Sequence, residues 1–123
     1  MMIGTLSAVA LDCRDPRALA AFYAELVGGT VEAEDDTWVD LKRQGAQTLS
    51  FQLAPDHRAP KWPDPAAPQQ IHLDIAVPRE GMDDAEKQVL ALGATLLEGD
   101  LDGTRNWRVF ADPAGHPFCL CAC

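Results

Sequence analysis

Bulky and polar residues change their spacing along this chain in a fixed order, and the order occurs twice. Leu6 to Leu11 alternates as a strand does. Asp15 then reads as a helix N-cap with Pro16 at the first helical position, where a missing N–H costs nothing. Leu19, Phe22, Tyr23, Leu26 and Val27 follow at helical spacing as one apolar stripe, and Gly28-Gly29 ends the helix. Strands are expected over Thr30–Glu34, Trp38–Lys42 and Thr48–Ala54, separated by turns at Asp35-Asp36 and Gln44-Gly45. The same series restarts at Ile71–Val77, with a helix over Met82–Leu92 that Asp83 would cap and Gly93 would stop, then a strand over Ala94–Glu98. An acidic, Gly-containing turn leads to a hairpin. Asn106–Ala111 and Phe118–Cys123 are its strands, and Asp112-Pro113-Ala114-Gly115 supplies its turn chemistry.

The β-α-β-β-β series is legible as an internal repeat. Leu26-Val-Gly-Gly-Thr-Val lies on Leu90-Ala-Leu-Gly-Ala-Thr, which also lays Ala8 on His72, and Phe51-Gln52-Leu53 lies on Phe118-Cys119-Leu120. The expected organisation is one α+β domain over residues 1–123, with a first module at 5–54 and a second at 70–123. Residues 55–69 differ in kind: Pro55, Pro60, Pro63, Pro65 and Pro68 exclude a sheet interior or a helix and predict an extended linker or lid. A half of this size buries little core alone, so pairing of modules within the chain or across two chains is expected.

Composition narrows the partners. The chain has 123 residues, of which 47% are hydrophobic and 24% charged, as in an ordinary globular protein. A net charge of −9 argues against nucleic acid, which attracts clustered Lys and Arg. It permits a cationic ligand. No apolar run approaches the roughly 18–20 residues that span a bilayer, and Met1–Asp12 carries no basic leader, so a cytoplasmic protein without a membrane partner is expected. Cys119, Cys121 and Cys123 alternate along one predicted strand, neighbours roughly 6.5–7 Å apart, beyond comfortable bridging distance; reduced thiols are expected.

Several of these stretches resemble the vicinal oxygen chelate superfamily, which includes glyoxalase I, extradiol dioxygenases, fosfomycin-resistance transferases and bleomycin-resistance proteins. They are Leu11–Asp15 leading into Ala21-Phe22-Tyr23, Leu26-Val27-Gly28-Gly29, Ile71-His72-Leu73-Asp74-Ile75, and Phe110 to Phe118 with its Asp112-Pro113-Ala114-Gly115. The chain looks most like the glyoxalase-like, bleomycin-resistance-type branch. The resemblance implies two tandem βαβββ modules forming curled mixed sheets around a cleft, usually in a homodimer. It also implies a divalent cation at first- and last-strand positions, which map here to Ala8, His72, Gln52 and Cys119. A hard cation for oxygen chemistry takes imidazole and carboxylate ligands, and only His72 is of that kind. No metal or other cofactor is therefore favoured, and a divalent metal on His72, Gln52 and Cys119 is the alternative.

The candidate ligand-binding residues are Gln52, His72, Asp74 and Cys119, which share cleft-facing parity, together with Trp38, Trp62 and Trp107. Indoles in a cleft make stacking walls for a planar ligand, whereas a strand residue such as Trp107 has ordinary core packing as its plainer reading. His72 is the candidate catalytic base. Asp112, Pro113 and Gly115 are expected to be turn residues, and Glu32, Glu34, Asp35 and Asp36 a solvated edge. No phosphate-cradling loop, nucleophile elbow or zinc-protease helix occurs. Three functions follow in order: metal-independent binding or sequestration of a small organic ligand, a glyoxalase-type lyase or isomerase using His72 as base or metal ligand, and a vestigial cleft acting through protein contacts.

Overall fold

A computed structural model describes residues 2–100 and 103–123. Part of the acidic turn expected after Glu98 falls on residues 101 and 102, outside the described residues. The chain divides into two compact units, Met1–His57 and Arg58–Cys123. Each carries one four-stranded mixed sheet and one α-helix, an α+β architecture of two βαβββ-like modules.

In the first unit β1 (Ala8–Cys13), α1 (Pro16–Val27), β2 (Thr30–Ala33), β3 (Trp38–Lys42) and β4 (Thr48–Leu53) follow in order. The sheet runs β1-β4-β3-β2, with β1 parallel to β4 and the other pairs antiparallel. Asp15 caps α1 as its type predicts, its carboxylate accepting from the Ala18 N–H at 3.1 Å. Helical spacing puts Leu19, Phe22 and Tyr23 on one buried stripe, where Tyr23 stacks on Phe51 of β4 with ring centroids 5.7 Å apart. Leu11, Val39, Leu41 and Leu49 complete this core. The β2 edge is exposed throughout, as the acidic run suggested.

The second unit repeats the series as β5 (Leu73–Ala76), α2 (Met82–Ala91), β6 (Thr95–Glu98), β7 (Trp107–Ala111) and β8 (Pro117–Cys121), in sheet order β5-β8-β7-β6. Phe110 and Phe118 stack at 5.5 Å in its core. The turn before β8 is held by Asp112, which accepts from the Ala114 and His116 N–H groups at 2.8 and 3.0 Å. Gly115 sits there at φ 90°, and a β-carbon on it would stand 2.2 Å from Ala59 Cβ, so the proline-rich segment is packed against this turn. The Trp62–Pro63 peptide bond is cis.

Two expectations need correcting. Asp83 does not cap α2: the N-cap is Gly81, without a side-chain bond, and Asp83 faces Arg108 of β7 instead. Alternation does not continue to Cys123. The strand ends at Cys121 and the chain curls, bringing Cys121 and Cys123 to a Cα–Cα separation of 5.2 Å and into a disulfide where reduced thiols were expected. Trp38 and Trp107 occupy corresponding strands but not corresponding places. Trp38 pairs with Gln52, whereas the partner of Cys119 is Val109 and Trp107 lies two residues along, opposite Cys121.

Candidate functional site

Strand parity gathers the chemistry of the second unit. Asp74 of β5 stands directly opposite Cys119 of β8 in the parallel pairing, and His72 precedes β5 on the same parity as Asp74. Two adjacent, hydrogen-bonded strands therefore present an imidazole, a carboxylate and a thiol together. His72 Nε2 lies 3.2 Å from Asp74 Oδ1, and one donor atom from each of His72, Asp74 and Cys119 lies within 4.8 Å of the others. The His72 and Asp74 side chains are 41% and 58% exposed, so both are open to a ligand.

Cys119 is half-buried. Burial pushes its thiol up from 9.0 to about 11, helped by the negative charge of Asp74, a hydrogen bond to that carboxylate, and the charge of Glu98. At neutral pH this is a protonated S–H, a weak donor and a poor nucleophile.

These three residues border a cavity of about 520 Å³ whose wall also includes Trp62, Trp107 and Gln69. That volume suits a small organic molecule. Trp107 is 43% exposed, contrary to the core packing that its place in a strand suggested. The Arg105 guanidinium covers one part of this indole, 4.4 Å from the ring centroid, and is itself 3.1 Å from Glu98 Oε1. Trp62 reaches the wall from the proline-rich segment, whose backbone closes on itself through Lys61 N–H to Ala67 C=O at 2.8 Å. Gln69 was not foreseen, nor was Asn106. Gln69 Oε1 is buried at the wall with no hydrogen-bond donor. A glutamine pair after a proline-rich stretch gives no sequence signal for such a role.

The other two candidates lie in the first unit. Trp38 and Gln52 pair across β3 and β4. There the Trp38 indole N–H donates to Asp40 Oδ1 at 2.8 Å, the buried Ser50 hydroxyl donates to the same oxygen at 2.6 Å, and Lys42 Nζ approaches Asp40 Oδ2 at 3.8 Å. Gln52 itself is exposed.

The chain belongs to the glyoxalase-like domain family, whose model matches residues 8–121. Solved structures share the fold at low identity. A glyoxalase/bleomycin resistance protein/dioxygenase family enzyme from Burkholderia phytofirmans is 20% identical, with 95% of this chain and 97% of that one covered and a TM-score of 0.74. A mutant fosfomycin resistance protein FosX from Listeria monocytogenes, complexed with Mn(II) and 1S,2S-dihydroxypropylphosphonic acid, is 18% identical over 98% and 91%, with a TM-score of 0.69. A possible glyoxalase from Bacillus cereus is 13% identical over 98% and 99%, with a TM-score of 0.71. No curated protein matches the chain. Among the described residues no helix is long and apolar enough to cross a membrane.

Proposed function

We propose that the cleft of the second unit binds a small planar organic molecule carrying N–H donors or a positive charge, and does so without a metal. The observation that carries this reading is the composition of one wall. Two indoles, Trp62 and Trp107, border the same cavity as an exposed carboxylate, Asp74, and an unpartnered buried acceptor, Gln69 Oε1. Indole faces supply stacking area, and a buried acceptor without a donor is costly until a ligand supplies one. The net charge of −9 favours a cation over an anion. Gln52, at a position that the resemblance maps to the family's metal site, and its cross-strand partner Trp38 stay as separate candidates on the first unit's own sheet. The protein is taken to be a cytoplasmic homodimer of single-domain chains.

The FosX relative holds Mn(II), but the residues at the four mapped positions do not fit a hard cation of that kind. Ala8 has no donor, Gln52 offers an amide, and Cys119 offers sulfur, which suits Mn(II) poorly. No step is therefore routed through such an ion.

The test is tryptophan fluorescence in chelator against planar aromatic amines, led by proflavine. Saturable quenching is expected, with Trp107→Ala weakening affinity about tenfold, or ~1.4 kcal/mol. No response from any amine in the panel would favour the vestigial cleft. A second reading has one observation behind it: the 3.2 Å approach of His72 Nε2 to Asp74, which orients an exposed imidazole as a general base. Proton exchange α to a carbonyl, lost in His72→Gln, would move the assignment to a lyase or isomerase.

A further inference from the structure

The mismatch with hard-cation chemistry has a positive side. His72 Nε2, a carboxylate oxygen of Asp74 and Cys119 Sγ lie within 4.8 Å of one another. Asp74 is the addition, since it occupies no position to which the family resemblance assigns a ligand. It is placed by the β5–β8 register, which sets it directly beside Cys119. Two ligands held about 2.0–2.1 Å from a tetrahedral ion stand roughly 3.3 Å apart. His72 Nε2 and Asp74 Oδ1 are already 3.2 Å apart. One nitrogen, one oxygen and one sulfur donor suit a borderline ion, whereas Mn(II) is suited by carboxylate, carbonyl and water.

We propose that His72, Asp74 and Cys119 form a three-donor site for a zinc-class divalent cation, built wholly within the second module and selective against Mn(II). The pairing of neighbouring strands fixes two of the donors on one backbone frame, so little ordering is required on binding. The adjoining cavity leaves a fourth position for water or a small ligand. The ion would occupy Asp74, which the organic-ligand reading also uses, so that reading describes the metal-free protein and the two are tested in separate buffers.

The test uses the full chain, stripped with chelator, dialysed into chelator-free buffer without reductant so that the Cys121–Cys123 disulfide stays closed, and titrated with Co²⁺, Zn²⁺ and Mn²⁺. One equivalent of Co²⁺ is expected to produce a near-ultraviolet thiolate-to-cobalt absorption together with the visible bands of tetrahedral cobalt. Zn²⁺ is expected to abolish both stoichiometrically, and Mn²⁺ in excess to leave them in place. Cys119→Ser should remove the near-ultraviolet band, and Asp74→Asn should weaken Co²⁺ on the order of tenfold or more. Circular dichroism of both variants checks that the fold is kept. Absence of the thiolate band, equal competition by Mn²⁺, or unchanged affinity in Asp74→Asn would each overturn the proposal. Proflavine binding in chelator reports on the organic-ligand reading separately, so the two can fail independently.

Discussion

The two modules share a plan and differ in how they use their polar groups. In the first, α1 is fastened by apolar contacts: Pro16, Leu19, Ala20, Phe22 and Tyr23 are all buried. One acid on its sheet, Asp40, is occupied by Trp38, Ser50 and Lys42. In the second, α2 buries only Met82 and Val89. What it lacks in apolar contact is supplied by Arg108, an 8%-exposed arginine whose guanidinium reaches Asp83 at 2.8 Å and Glu86 at 3.1 Å on the helix and Asp100 at 3.6 Å. Its sheet acid, Asp74, is left open beside His72 and Cys119. The lesson is a division of labour. The first module engages Asp40 internally, and the second leaves Asp74 facing a cavity.

The sharpest way to break this comparison is at the two helix fasteners. Tyr23→Ala removes a fully buried ring stacked on Phe51 and is expected to cost about 3–5 kcal/mol in denaturant unfolding. Arg108→Ala should cost less, about 1–2 kcal/mol. Losing a buried pair is most expensive when the remaining charges are trapped; Asp83, 85% exposed, returns to water, while Glu86 and Asp100, at 26% and 18%, account for the loss. Equal costs would erase the distinction.

A smaller contrast lies between the two sheet acids. Asp40→Ala strands the buried Ser50 hydroxyl and the Trp38 N–H, with an expected loss of about 1–3 kcal/mol. Asp74→Ala changes an exposed group and should stay within about 0.5 kcal/mol, measured in the same unfolding assay.

The smallest effect is in pH. In metal-free protein Cys119 binds its proton more tightly folded than unfolded, because its pKa rises from 9.0 to about 11. Its contribution to stability is therefore complete below 9.0 and falls as pH rises toward about 11. Unfolding midpoints of wild type and Cys119→Ser should converge over that window, and parallel curves would reject the assignment. Iodoacetamide should label native Cys119 slowly until the same window is reached.

Much of this was legible in the chain because local chemistry and tertiary structure agree. Period-two and helical spacing locate both α-helices and all eight strands to within about two residues, and miss the short 3-10 turn at Arg79–Gly81. Asp15, Gly28 and the Asp112 turn do what their types predict. Parity put His72 and Asp74 on one face, the family resemblance set Cys119 at the same cleft, and the β5–β8 register brings the three together. Alternation failed at Arg108, which reads as an outward polar residue in Trp107-Arg108-Val109-Phe110. Its partners lie 22 and 25 residues earlier, on a helix whose packing the pattern cannot specify. It failed again past Cys121, where the strand stops, and at Trp107, which is exposed where core packing was the plainer reading. Trp62 was singled out as a tryptophan among prolines, but its place on the cavity wall depends on how that segment folds back, which no local propensity encodes.

The contact between Gly115 and Ala59 bears on how a ligand would come and go. The segment carrying Trp62 is packed against the turn that begins β8. If that wall is preformed, a ligand of the proposed kind would bind in a single bimolecular encounter, with an observed rate proportional to concentration and a residence time set by its contacts.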